Sequence, residues 1–347
     1  MNAVYQTLQT SDNSADKATD RDVSAPLLDI RNLFVRFYTD TGVVHAVNGL
    51  NLSLSKGKSL GFVGETGAGK TTTALATLQL IPSPPGEMKG EIFFEGRDVM
   101  KMTEPEKRAF RGGKIAMIFQ DPMTSLNPIM TVEEQIMEMV ELHAAAVNPR
   151  ERAREMLTLV GIRPERGKDY PHQLSGGMRQ RVGIAIALAC EPDLLIADEP
   201  TTALDVTIQA QVIDLIKKLQ SSVRTSLLLI THDLGIVAEI CDDVAIMYAG
   251  RLVEAADLRQ LYKRPLHPYT RGLFDAVPRL DSDPNEKLAV IPGLTPDPTN
   301  LPEGCGFSPR CPRARPICRE KSCGMREYEP GHFVDCHFPL ESRGDGQ

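Results

Sequence analysis

The sequence lacks tryptophan, long apolar runs, a basic charge balance and any C-x-x-C pair, and most of these shortages count against a class of protein. Aromatic residues make up 5% of an otherwise ordinary composition, with 41% hydrophobic and 24% charged residues. That profile describes a soluble globular protein and excludes disordered and fibrous chains. No apolar stretch approaches the length needed to cross a bilayer. The longest, Gly183 to Cys190 and Ser226 to Ile230, are sized for a core helix and a core strand. The N-terminus lacks the basic, apolar, small-residue order of a secretory signal. A cytosolic location is therefore expected, with membrane association only through a protein partner. Basic residues are outnumbered, 39 Lys and Arg against 46 Asp and Glu, for a net charge of −7. This argues against nucleic acid as a bulk partner, because phosphate backbones are bound by clustered cations. A single nucleotide needs only a local positive field and is not excluded.

Among what is present, 347 residues are enough for one large domain with an appendage, or for two modest domains. Residues 1–25 are polar and rich in Ser, Thr, Asp and Ala, which predicts a disordered lead-in. Leu27 to Phe37 is a strand candidate, and Ala46 to Leu54 alternates apolar and polar residues with a strand period. Lys56-Gly57-Lys58 turns the chain into a short buried strand, Ser59 to Val63. A glycine loop follows, then a helix over Thr71 to Leu80, ended by Pro82-Ser83-Pro84-Pro85-Gly86. Further strands are expected at Glu91–Phe94, Lys114–Phe119, Leu194–Ala197 and Ser226–Ile230. Helical spacing runs through Thr131–Val160, with Ile136, Met139, Val140 and Leu142 on one side, and through Thr207–Leu219. Strands alternating with helices imply an α/β fold with a parallel sheet covered on both faces. Residues 125–190 interrupt the alternation and read as an inserted helical subdomain. The main domain is expected over residues 26–277. Residues 278–340, rich in Pro, Gly and Cys, read as a separate loop-rich appendage.

Three motifs carry chemistry. The first, Gly64-Glu65-Thr66-Gly67-Ala68-Gly69-Lys70-Thr71, matches G-x-x-x-x-G-K-[ST] between a strand and a helix. Its glycines let successive backbone N–H groups turn onto phosphates, at the positive end of a helix that continues through Thr72. Lys70 is placed to reach the β- and γ-phosphates of ATP, and the Thr71 hydroxyl to hold Mg²⁺. The second motif is an apolar run ending in Asp198-Glu199, which puts two carboxylates at the C-terminal edge of a sheet. Asp198 suits Mg²⁺, and Glu199 suits polarisation of an attacking water. Alone, such a pair is more often a strand ending in solvated acids. The third, Leu174-Ser175-Gly176-Gly177, opens an apolar helix as a second anion-binding nest. Alone, it reads equally well as an ordinary serine cap.

The order of the phosphate loop, Gln120 after a strand, Leu174-Ser175-Gly176-Gly177, Asp198-Glu199, Asp205 and His232 resembles an ABC-transporter ATPase over roughly Leu27 to Pro278. The resemblance implies a RecA-like P-loop NTPase core and head-to-tail pairing with a second ATPase subunit. In that pairing Ser175, Gly176 and Gly177 of one subunit close over ATP held by Lys70 of the other. It further implies Gln120 as a contact to Mg²⁺ and the nucleophilic water, Glu199 as general base, Asp205 as a cross-subunit contact and His232 as γ-phosphate sensor. An aromatic residue usually stacks on adenine, for which Tyr38 is taken, with Phe37 in the same neighbourhood.

The segment Gln120-Asp121-Pro122-Met123-Thr124-Ser125-Leu126-Asn127-Pro128 is similar to the branch that imports dipeptides, oligopeptides and nickel. So is Leu266-His267-Pro268-Tyr269-Thr270, followed by Pro278. Two permease subunits, an extracytoplasmic substrate-binding protein and a peripheral place on the cytoplasmic face of the bacterial inner membrane are implied with it. Of seven cysteines, five crowd the C-terminal stretch. Cys305, Cys311, Cys318 and Cys336 are separated by five, six and seventeen residues, and no C-x-x-C pair occurs. This counts against a ribbon or finger zinc site and suits an iron–sulfur cluster better, with zinc or unliganded thiols as alternatives. The stretch, with Phe307, Pro309-Arg310-Cys311-Pro312 and His332, resembles the C-terminal extension of peptide-importer ATPases. The resemblance implies the four cysteines as ligands of a [4Fe–4S] cluster, with Cys323 outside the pattern. A soluble ABC ATPase acting on DNA or ribosomes is the rival reading. The single motif set, the missing heptads and the negative charge oppose it. The transported substrate, and whether the second ATPase is a copy or a paralogue, are not readable from this chain.

Overall fold

The structure, a computed structural model, describes residues 25–121, 125–202, 205–223, 225–277 and 289–340. The lead-in expected over residues 1–25 lies outside it except for Ala25, as do Pro122, Met123, Thr124, Ala203, Leu204 and Pro278. Twelve strands are described in chain order. They are β1 (Leu28–Thr39), β2 (Gly42–Leu54), β3 (Ser59–Val63), β4 (Gly86–Phe94), β5 (Arg97–Asp98) and β6 (Ile115–Ile118). After them come β7 (Leu194–Asp198), β8 (Ser226–Thr231), β9 (Asp243–Tyr248), β10 (Arg251–Asp257), β11 (Arg326–Glu329) and β12 (His332–Val334). The helices are α1 (Lys70–Thr77), α2 (Glu104–Phe110), α3 (Val132–His143), α4 (Pro149–Leu159) and α5 (Gly176–Leu188). The later ones are α6 (Val206–Val223), α7 (Leu234–Ile240), α8 (Leu258–Lys263), α9 (Pro268–Asp275) and α10 (Pro316–Glu320). Among the described residues no helix is long and apolar enough to cross a membrane.

Two compact units emerge. The first comprises the chain up to Ser55, Leu60–Met100 and everything from His232 onward. It holds an antiparallel sheet in the order β2-β1-β4-β5, which the expectation of one parallel sheet omitted. Its other strands run β11-β12-β10-β9-β3. Here β3 pairs parallel to β9, and β10 pairs antiparallel to β9. β3 is buried at every position, as a strand covered on both faces must be. The C-terminal stretch is not a separate appendage: β12 pairs with β10 through Glu254–Val334 and Ala255–Phe333 and covers that edge.

The second unit comprises Lys56–Ser59 and Lys101–Thr231. Its strands β6, β7 and β8 are parallel neighbours, as the alternation of strands and helices predicts. Among the described residues, α3, α4 and α5 lie between β6 and β7. Thr131 and Glu134 close a capping box on α3, and Asn148 accepts the Arg150 and Glu151 amides at the start of α4. Ile136 and Val140 are buried as expected, whereas Leu142 is 68% exposed. Six residues beyond Ile136, at 100° each, place it on the far side of the helix. The α2 helix, opened by Thr103 with Glu106 reaching back to its amide, was not expected.

Candidate ATP site

In the first unit β3 delivers the phosphate loop, and α1 starts at Lys70 directly behind it. Two glycines are dictated by geometry. A Cβ on Gly64 would stand 2.2 Å from the Met247 carbonyl oxygen. Gly69 has φ +105°, and a Cβ there would lie 2.3 Å from the Ala46 carbonyl oxygen. Lys70, buried, donates to the Gly64 and Glu65 carbonyls at 2.7 and 3.0 Å. Thr66, Gly67 and Thr71 face solvent, Thr72 is half-buried and Ala68 packs inward. The loop thus exposes its hydroxyl and amide side to an anion while its lysine lies against the loop backbone. Glu65 faces the other way. Its amide donates to the Tyr269 hydroxyl at 3.0 Å and its carboxylate accepts from Arg310 at 2.8 Å. Tyr38, 52% exposed, has a ring open to a planar ligand and a hydroxyl bonded to Glu87. His232, exposed, leads into the Asp233 cap of α7.

The second unit holds the carboxylates. Asp198, the last residue of β7, is 2% exposed. Glu199 follows with φ +45°, a left-handed backbone that a side-chain-bearing residue adopts only where its surroundings enforce it. The enforcing contact is its amide, which donates to the Ile230 carbonyl at 2.8 Å. One carboxylate oxygen, Oε2, accepts from Thr202 Oγ1 at 2.8 Å and from Gln120 Nε2 at 3.2 Å. Gln120 and Glu199, both candidate site residues, are therefore in direct contact within the second unit. Thr202 was missed, and its signal was a hydroxyl three residues after a strand-end carboxylate, within reach across one turn. Within the second unit, the amide oxygen of Gln120 and the carboxylate of Asp198 are hard oxygen donors, the chemistry that suits Mg²⁺.

Also in the second unit, Ser175 caps α5 by accepting the Met178 amide at 3.4 Å. The two glycines behind it differ. A Cβ on Gly177 would lie 2.7 Å from Ile208 of α6, so this glycine is fixed by packing. A Cβ on Gly176 would meet nothing within 4 Å. Asp205 accepts the Ile208 amide at 3.0 Å and thereby caps α6.

Cys305, Cys311, Cys318, Cys323 and Cys336 line one cavity of the first unit. Burial, reinforced by Asp335 and neighbouring thiols, pushes the Cys305 thiol up to about 11, and burial reinforced by thiols alone pushes Cys336 up to about 12. Cys311 and Cys323 are raised by the same burial. Cys323, outside the expected set, belongs to the cavity with the other four. Among the described residues no group of three or more His, Cys, Asp or Glu side chains is arranged to hold a metal ion.

Residues 47–202 match the family described as ABC transporter. Residues 253–318 match the family described as the oligopeptide/dipeptide transporter C-terminal region. The oligopeptide transport ATP-binding protein OppD of Haemophilus influenzae is 50% identical over 91% of this chain and 98% of its own length. The dipeptide transport ATP-binding protein DppD of Escherichia coli is 45% identical over 92% of this chain and 98% of its own. A solved ATP-binding cassette, dimeric in a post-hydrolysis state bound to ADP and Pi, superposes with a TM-score of 0.60 at 26% identity. It covers 67% of this chain and 99% of the cassette. With the phosphate loop, the Asp198-Glu199 edge and the Ser175 nest in place, and with relatives matched along nearly their full lengths, this chain belongs to the ATP-hydrolysing ATP-binding subunits of ABC transporters.

Proposed function

We propose that this chain powers the import of dipeptides, oligopeptides or related compounds by binding and hydrolysing ATP at sites shared between two ATPase subunits. The observation that carries the reading is Glu199, held at the end of β7 with Gln120 and Thr202 on one carboxylate oxygen. Its other oxygen then accepts a proton from the water that attacks the γ-phosphate in line. Bound Mg²⁺ would supply charge neutralisation on the phosphates, held by Thr71, Gln120 and Asp198. Lys70 and the loop amides stabilise the phosphate charge from one side, and Ser175 to Gly177 of the second subunit from the other. His232 senses the γ-phosphate, Tyr38 stacks on adenine and Asp205 meets the second subunit. Exposed Phe119, Ile129 and Leu142 of the second unit supply an apolar surface for a permease. The subunit is then peripheral on the cytoplasmic face of the inner membrane, beside two permeases fed by an extracytoplasmic binding protein. Affinity purification from membranes tests this. Recovery with permease subunits and ATP-dependent peptide uptake in vesicles are expected, and recovery with ribosomes or DNA would overturn it.

The same reading assigns Cys305, Cys311, Cys318 and Cys336 to a [4Fe–4S] cluster with a structural role. The donor chemistry supports it, since the thiols share one cavity and their spacing is loop-borne and irregular. A cluster spreads its ligands over four irons, so a cavity without a single-ion centre is compatible with it. Anaerobically purified protein should absorb at about 400 nm. Stoichiometric zinc without iron would refute the assignment.

A further inference from the structure

Two segments that the chemistry of hydrolysis leaves unused end on one residue of the phosphate loop. Leu266-His267-Pro268-Tyr269-Thr270 brings the Tyr269 hydroxyl to the Glu65 amide at 3.0 Å. Pro309-Arg310-Cys311-Pro312 brings the Arg310 guanidinium to the Glu65 carboxylate at 2.8 Å. The Glu65 carbonyl in turn accepts from Lys70 at 3.0 Å. Amide, carboxylate and carbonyl of this one residue are thus all held. Arg310 is itself fixed on every side. Its side chain is 7% exposed, and it donates to the Pro292 and Ile291 carbonyls at 3.0 and 3.3 Å and to Tyr248 at 3.2 Å. Its guanidinium stands 5.8 Å from the Tyr248 ring centroid and 5.9 Å from that of Phe307. Tyr248, Tyr269 and Phe307 pack against one another with centroids 4.6 to 5.4 Å apart. The ion pair is therefore rigid and largely withdrawn from water, the setting in which a bidentate-capable arginine holds its partner best.

We propose that Arg310 is a positioning residue for ATP binding: through Glu65 it holds the phosphate loop and Lys70 in the geometry that receives the triphosphate. The inference rests on Gly64 to Thr71 being the ATP-binding loop. A loop whose first turn is fixed loses less freedom when the nucleotide arrives, so its affinity is higher. No contact of Arg310 with the nucleotide is required.

The test is equilibrium binding of a fluorescent ATP analogue to the full chain, with KM and kcat for ATP measured on the assembled transporter. Arg310→Gln and Glu65→Gln are each expected to weaken binding about tenfold, the cost of one charge-assisted hydrogen bond. KM rises with it in both, and in Arg310→Gln kcat at saturating ATP stays within about twofold. The double variant is no weaker than either single one, because both remove the same link. Arg310→Lys, which keeps the charge without the fork, recovers part of the affinity. A purely structural Arg310 would lower the unfolding temperature and the active fraction and leave KM of the folded protein unchanged, which overturns the proposal. Additive losses in the double variant overturn it as well. If Arg310→Gln does not fold, Glu65→Gln decides alone, and an unchanged KM there refutes the link. Lys70→Ala separates the two readings. Intact ATP binding in Lys70→Ala defeats the phosphate-loop assignment itself. Lost binding there with a normal Glu65→Gln defeats only the role of Arg310.

Discussion

The loop at Gly64–Thr71 and the nest at Ser175–Gly177 are both glycine-bearing helix starts, and their surroundings differ. Gly64 and Gly69 have no room for a side chain because the backbone of the same unit closes on them. Glu65 is held by Tyr269 and Arg310, and Lys70 lies against the loop carbonyls. At the second helix start, Gly177 is fixed by Ile208, a Cβ on Gly176 would meet nothing within 4 Å, and the turn is ordered by the Ser175 cap and by Arg179, whose Nε donates to the Leu174 carbonyl at 3.0 Å. One nest is finished by its own chain. The other leaves Gly176 open, which is compatible with the shared site proposed above.

The largest effect that would sharpen this contrast is expected from Glu199→Gln. Phosphate release should fall roughly a thousandfold, the scale of a lost general base, while ATP-dependent pairing of subunits persists. Undiminished release would remove Glu199 as the base. Next come the two glycines themselves. Gly64→Ala should weaken ATP binding by the single chain at least about a hundredfold, since the added methyl meets a carbonyl that cannot move aside. Gly176→Ala should leave single-chain binding within about twofold and lower hydrolysis only in the paired assembly. Titration with a fluorescent nucleotide compares them, and equal losses would break the contrast.

A smaller effect concerns the support behind the first nest. His267 is buried, its Nδ1 accepts the Tyr269 amide, and burial pulls its imidazole down to about 4 despite the nearby Glu254 carboxylate. An unfolded histidine takes up its proton at about 6.5, so between there and about 4 the unfolded chain binds a proton that the folded chain refuses. The associated stability is fully present above about pH 6.5 and is lost as pH falls toward 4, by about 3 kcal/mol at most. Thermal unfolding as a function of pH should therefore have a shallower acid slope in His267→Gln than in the parent chain. The smallest effect separates a cap from a nest. Ser175→Ala and Thr131→Ala should each cost about 1 kcal/mol of stability, and only Ser175→Ala should also slow hydrolysis. Equal ATPase rates in the two variants would reduce Ser175 to an ordinary cap.

Much of this arrangement is legible before any coordinates. β3, β7 and β8 are short apolar runs between turn signals, and the fixed order of motifs along the chain names the family. Other parts are hidden for physical reasons. β11 and β12 are four and three residues long around Pro330 and Gly331, too short for a period to show, and their place is set by pairing with β10. The α2 helix begins Glu104-Pro105-Glu106 and reads as a polar loop until the Thr103 cap is recognised. Leu142, expected on one side with Ile136, Met139 and Val140, is exposed, because positions 136, 139, 140 and 142 do not all fit one stripe. The roles of Tyr269 and Arg310 are the least visible, since their partner lies 204 and 245 positions away in the chain.

That last separation has a consequence for biosynthesis. A polypeptide emerges from its N-terminus, so Gly64 to Thr71 leaves the ribosome long before Arg310 is made. The contact between Arg310 and Glu65 closes only after some two hundred and forty-five further residues have been added. If Arg310 positions the loop as proposed, affinity for ATP rises only once that contact has formed, and a shorter nascent chain binds the nucleotide about tenfold more weakly.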